Sequence, residues 1–165
     1  MKNIIWALLA LFCVFIAHDS NAADKKAVLK KQKIEQNKSV KWHSDLNSAL
    51  KEAQATQRQI LLLATGSDWC PPCMNLEKKV LSHKDFAKLA NENLVLLKAD
   101  FPRRRAQSES EKSAAQEIVK KYSVEGFPTV YLLTPDGKVL DKKVGFGGKS
   151  DPESYLKRFK GFKKK

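Results

Sequence analysis

The sequence predicts an α/β fold, a central mixed sheet flanked by helices, and three observations lead to it. Ile60 to Ala64 is a continuous apolar run, and Leu94 to Leu97, continuing to Asp100, is a second; both suit strands covered on both faces. A helical pattern separates them, so they should run parallel. Thr129 to Leu133 reads as a third strand, and the turn Pro135-Asp136-Gly137 returns the chain through Val139 to Val144 as an antiparallel hairpin partner.

The first residues stand apart from that fold. Lys2 precedes an uncharged, mostly apolar run from Ile4 to Ala17, and the polar His18-Asp19-Ser20-Asn21 follows. The run is shorter than the roughly 20 residues a membrane span wants. Ser20-Asn21-Ala22 puts small residues where a signal peptidase reads, so residues 1–22 are expected to be a signal peptide cleaved before Ala23. An uncleaved membrane anchor is the rival reading. The protein is therefore expected to be exported, periplasmic or secreted. Residues 23–39 are rich in Lys and Gln and read as a tether; a domain is expected over 40–160, and a basic tail over 161–165.

Within the domain, Val40-Lys41-Trp42 suits a short first strand. Ser44 and Asp45 offer caps to a helix whose Leu46, Ala49, Leu50 and Ala53 recur at helical spacing, ending near Thr56. After the 60–64 strand, a second helix turns Leu76, Val80 and Leu81 inward. Ser82 is expected to cap a third, with Phe86, Leu89 and Ala90 on its apolar face. Beyond Asp100, Phe101-Pro102-Arg103-Arg104-Arg105 breaks the pattern before a helix carrying Ala115, Ile118, Val119 and Tyr122. After the hairpin, Gly145, Gly147 and Gly148 mark a bend. Ser150-Asp151-Pro152-Glu153 then opens a last helix whose face is Tyr155, Leu156 and Phe159.

Cys13 leaves with the signal peptide, so the mature chain keeps Cys70 and Cys73. Two cysteines this close staple no fold, and in an oxidising compartment the pair is expected to be redox-active. It sits at the carboxyl end of a parallel strand, where open α/β sheets place their sites. Unpaired amides and the positive end of a helix dipole gather at that corner, so Cys70 should ionise more readily than a free cysteine. Cys73 lies one helical turn on, within reach of a disulfide. One thiol that attacks and one that resolves make a dithiol–disulfide exchange site.

Trp69-Cys70-Pro71-Pro72-Cys73, followed by Gly126-Phe127-Pro128-Thr129 ahead of the hairpin, resembles the thioredoxin superfamily, in particular its secreted and periplasmic thiol–disulfide interchange proteins. The resemblance runs from about Val40 to Phe159. It implies a thioredoxin-like fold and protein thiols or disulfides as substrates. It makes Cys70 the nucleophile and Cys73 the resolving, more buried thiol. Pro128 matches the family's cis-proline, which offers backbone groups to an extended substrate segment. Trp69 is implied to shield the site and Phe127 to border the substrate groove, with Pro71, Pro72 and Thr129 completing the substrate-binding set. Neither a cofactor nor a metal is implied. The acid the family often buries six positions before its first cysteine is Ala64 here. Glu77, on one helix face with both cysteines, is expected to handle the Cys73 proton instead.

Pro72 lacks an N–H and neither intervening proline carries charge, so the thiolate is less stabilised and the couple more reducing. The expectation leans towards a disulfide reductase or electron relay, resupplied by a membrane-bound thiol–disulfide electron donor. An oxidase or isomerase of the same fold, and a redox-inactive binding module, stay open. The formal charge is +13 and stays so when Lys2 and Asp19 leave with the signal. Export and the lack of any basic–aromatic reader motif argue against nucleic acid; an anionic envelope surface or acidic proteins fit better. The three arginines are placed to edge the substrate surface. A monomer is expected. A zinc site on Cys70, Cys73, His43 and His83 is disfavoured, because the histidines have no ligand spacing to the cysteines.

Overall fold

The computed structural model describes residues 40–148 and 150–164; the expected signal peptide and tether lie outside them. Strands β1 (Trp42–His43), β2 (Gln59–Thr65), β3 (Leu94–Asp100), β4 (Thr129–Leu133) and β5 (Val139–Val144) form one mixed sheet in the order β1-β3-β2-β4-β5. The two most apolar runs sit side by side near its centre, and every residue of β2 is buried. β2 and β3 pair in parallel from Gln59↔Leu94 to Thr65↔Asp100, and β4 pairs antiparallel to β2, with Ala64 opposite Thr129. The carboxyl ends of β2 and β3 and the start of β4 therefore meet at one end of the sheet. β4 and β5 form the expected hairpin.

Helices α1 (Leu46–Thr56), α2 (Pro71–Leu76), α3 (Lys84–Asn93), α4 (Glu109–Lys121) and α5 (Pro152–Lys157) cover the two faces. Strand side chains alternate between them, so each central strand feeds two cores. Leu61, Leu63, Leu96 and Val130 pack with Leu76, Phe86 and Leu156 beneath α2, α3 and α5. Ile60, Leu62, Val95 and Leu97 pack with Ala49, Ala53 and Ile118 beneath α1 and α4. Each fully buried leucine or isoleucine contributes about 1.5–3 kcal/mol. The small residues Ala49 and Ala53 let α1 lie close to the sheet.

Asp45 caps α1, accepting from the Ser48 amide at 2.8 Å. Ser108 caps α4 through a reciprocal box with Glu111. Two expectations are corrected. The first strand begins at Trp42, where pairing to Leu96 starts, while Val40 packs against the core beneath α2. The cap of α3 is His83, whose Nδ1 accepts from the Asp85 amide at 3.3 Å, not Ser82. The reason lies upstream: α2 continues into a π-helical turn, Glu77–Leu81, and carries Ser82 with it. The Ser82 amide is bonded to Glu77 O at 2.8 Å and its hydroxyl donates to Glu77 Oε1 at 3.2 Å.

The chain after α5 folds back. Gln59 Nε2 donates to Gly161 O at 2.8 Å, the Lys163 amide donates to Gln59 Oε1 at 2.9 Å, and Phe162 packs on the core. Asp141 of β5 pins the same region, accepting from Lys143 Nζ and the Lys160 amide, each at 2.7 Å, and from the Lys142 amide at 2.8 Å. The Lys143 bond foremost, with those amides, lowers the Asp141 carboxyl to about 2 from an ordinary 3.8. A carboxyl lowered by folding contributes stability that is complete above its unfolded value and is lost as pH falls through the folded one. Asp141→Asn is therefore expected to cost about 1–2 kcal/mol at pH 7. Denaturant unfolding between pH 7 and 2 should show that difference shrinking below pH 4. Among the described residues, no helix is long and apolar enough to cross a membrane.

Candidate active site

Between β2 and α2 the chain turns within five residues. Gly66 O accepts from the Trp69 and Cys70 amides at 3.4 and 3.1 Å, which closes the turn. Cys70 is the N-cap of α2, with extended backbone at φ −93° and ψ 105°. It is joined to Cys73 by a disulfide, Cα to Cα 5.2 Å. Pro71 and Pro72 fill the first two helical positions and offer no amide, and the Met74 amide is bonded to Cys70 O at 3.0 Å. Of the first-turn amides, that of Cys73 is left for a Cys70 thiolate. The expected contrast in burial is absent in this disulfide-bonded form: Cys70 is 4% exposed and Cys73 3%.

The Trp69 indole packs against the turn, and Gly66 makes room for it. A Cβ at Gly66 would stand 2.5 Å from the indole Cε2. The indole Nε1 donates to Phe101 O at 2.7 Å, and Phe101 is tied back by its own amide to Thr65 O at 2.9 Å. Phe127 meets Trp69 edge-on at 6.2 Å and stacks on Phe101 at 5.3 Å. Phe127 also packs against the core beneath α1 and α4, so it joins the site to the interior.

The loop after β3 is stitched onto this turn by two acids, Asp68 and Asp100, to which the sequence assigns no role. Asp68 accepts from three successive amides, Arg103 at 2.9 Å, Arg104 at 2.8 Å and Arg105 at 3.2 Å. Those amides, that of Arg103 foremost, hold its carboxyl below the usual range. Buried Asp100 accepts from the Ser67 amide and hydroxyl at 3.0 and 2.7 Å and from Arg105 Nη2 at 2.8 Å. The Arg103 guanidinium thereby comes to lie 3.7 Å from the Trp69 ring centroid. The adjoining Asp68-Trp69 and Asp100-Phe101-Pro102 were the available signals, one acid in the turn after β2 and one at the last residue of β3.

The Phe127–Pro128 bond is cis, as the resemblance implied. Pro128 is buried and its carbonyl accepts from the Gly145 amide at 2.7 Å; Thr129 is fully buried, its hydroxyl bonded to Gly126 O at 2.7 Å. Because Thr129 pairs with Ala64, these residues stand at the same sheet end as the disulfide. Ala64 is fully buried and carries no acid. Glu77 sits in the π-helical turn with its side chain 45% exposed, its Oε2 3.5 Å from Lys98 Nζ. Lys98 in turn lies over the Trp42 ring at 4.6 Å. His43 is engaged with Glu52 at 2.8 Å and His83 with its helix, and among the described residues no cluster could hold a metal ion.

A family model described as thioredoxin-like matches residues 41–135. A disulfide bond reductase of Chlamydia pneumoniae, DsbH, is 32% identical over 65% of this chain and 63% of its own length. A thioredoxin-related protein of the same organism, DsbJ, is 26% identical over 68% of this chain and 32% of its own. The chain thus spans less than two thirds of the length of these curated relatives. Among solved structures, a DsbH oxidoreductase superposes with a TM-score of 0.65 at 28% identity, covering 73% of this chain and 81% of that one. A thioredoxin from Thermus thermophilus, 24% identical with a TM-score of 0.50 over 72% of this chain and 83% of its own, shares the fold.

Proposed function

We propose that this chain, which belongs to the thioredoxin-like family, is an exported thiol–disulfide oxidoreductase that reduces disulfides in other proteins. The observation that carries the reading is the Cys70–Cys73 disulfide at the start of α2, at the sheet end where the cis Phe127–Pro128 bond also lies. In the reduced protein the Cys70 thiolate attacks one sulfur of a substrate disulfide. The substrate S–S bond breaks, its second sulfur leaves as a thiolate that takes up a proton, and a mixed disulfide forms. Cys73 then gives up its proton and attacks Cys70 Sγ, releasing the substrate's remaining thiol. Two electrons have passed to the substrate, and the protein is left in the disulfide form described above. An external dithiol, in this reading presented by a membrane-bound partner, returns it to the dithiol.

Direction follows from the two prolines. They remove two amides and bring no charge, so the Cys70 thiolate is weakly stabilised and the couple reducing. Equilibration with a glutathione or dithiothreitol buffer is expected to give a potential near the thioredoxin value of about −270 mV. A value near the about −120 mV of strong periplasmic oxidants would overturn the assignment of direction. With Ala64 in place of a buried acid, Glu77, held by Lys98, is proposed to take the Cys73 proton. Glu77→Gln should then slow resolution of the mixed disulfide about tenfold or more, the range of general-base assistance. Unchanged thiol titration and exchange in that variant would assign Glu77 to surface charge.

A further inference from the structure

The loop stitched to Trp69 places three arginines beside the disulfide corner, and they are not equivalent. Arg105 is neutralised by Asp100 at 2.8 Å. The oxygens of Asp68 are taken up by three backbone amides. Arg103 and Arg104 are exposed, and among the described residues neither guanidinium has an acidic partner. The two differ in placement: Arg103 lies over the indole of the residue before Cys70, 3.7 Å from its centroid, and that cation–π contact fixes where its charge lies. A guanidinium held over a ring with no acidic partner has N–H donors to spare and is suited to a carboxylate.

We propose that Arg103, positioned by Asp68 and Trp69, selects substrates that carry an acidic side chain beside the reacting cysteine. Asp68 is a positioning residue in this scheme: it holds the 103–105 turn by its amides, and the turn delivers one arginine to the ring. The proposal rests on the oxidoreductase reading and names the substrate class of that site. It also makes use of the basic excess of the chain, by giving one of its charges a defined address.

The test uses the reduced protein and two disulfide-linked peptides that differ only by Glu or Gln next to the attacked cysteine. The wild type is expected to prefer the Glu peptide by about three- to tenfold, expressed in KM and declining with salt, as suits one partly exposed charge-assisted contact. Arg103→Gln should bring the ratio close to one, and Arg104→Gln should keep the preference. Asp68→Asn separates position from charge. It makes the surface more basic, so simple electrostatic steering requires a stronger preference, whereas loss of the clamp requires a weaker one. A preference that survives Arg103→Gln, or that rises in Asp68→Asn, overturns the proposal. If neither peptide is turned over, the oxidoreductase reading fails by itself. Binding of the same peptides to the oxidised protein then decides the recognition step, tighter binding of the Glu peptide that Arg103→Gln abolishes supporting it and equal binding in the wild type overturning it.

Discussion

Replacing Cys70 with serine is expected to abolish disulfide exchange, lowering the rate with a protein disulfide by more than about a thousandfold, because a serine hydroxyl is not ionised near neutrality and does not attack disulfide sulfur. The fold should barely register the change. Leu61, Leu63, Leu76 and Phe86 pack beneath α2 without help from the bridge, and a loop of this size removes little entropy from the unfolded chain. Insulin or peptide-disulfide reduction measures the loss, and circular dichroism with denaturant unfolding checks the fold. A Cys70→Ser protein that retained a substantial fraction of its activity would take the chemistry away from this corner.

The second large effect is expected at Gly66. Alanine there places a methyl group 2.5 Å from Trp69 Cε2, inside any tolerable contact, so the ring has to move. Its movement breaks the Nε1 bond to Phe101 O, separates the indole from Arg103 and disturbs the edge contact with Phe127. Overpacking and a lost part-buried hydrogen bond together predict a loss of about 1–3 kcal/mol, with exchange slowed because Cys70 follows the displaced residue directly. A double-mutant cycle isolates the cause. In a Trp69→Ala background the ring is gone, and Gly66→Ala should cost less than about 0.5 kcal/mol. Full additivity of the two changes would mean that Gly66 serves the turn in some other way.

Much of this architecture could be read from the chain itself, because period and turn chemistry act locally. The apolar runs at 60–64 and 94–97 announced strands buried on both faces. Pro135-Asp136-Gly137 announced the hairpin, and Asp45 and Asp151 cap the helices they precede. The cysteine pair and Pro128 were legible because their chemistry is written in short motifs. What escaped was set by contacts between distant segments or by helix geometry without a residue signature. Asp68 meets amides 35 to 37 positions away, and nothing in its neighbourhood marks it as a clamp. The π-helical turn at 77–81 has no composition of its own, yet it moves the next cap from Ser82 to His83 and points Glu77 towards Lys98 and Ser82. The need for glycine at position 66 comes from the indole of Trp69 lying against it, a contact with no local sequence mark.

Cys70 is proposed to be the sulfur that engages the partner, and Cys73 the one that releases it. The most direct measurement is mass spectrometry of the Cys73→Ser protein, reduced, mixed with a disulfide substrate and quenched with acid. With no resolving thiol, the substrate should accumulate as a mixed disulfide mapped to Cys70, while the Cys70→Ser protein accumulates little. Substrate mapped to Cys73 in the Cys70→Ser protein at a comparable rate, or no adduct on Cys70 at all, would contradict the account.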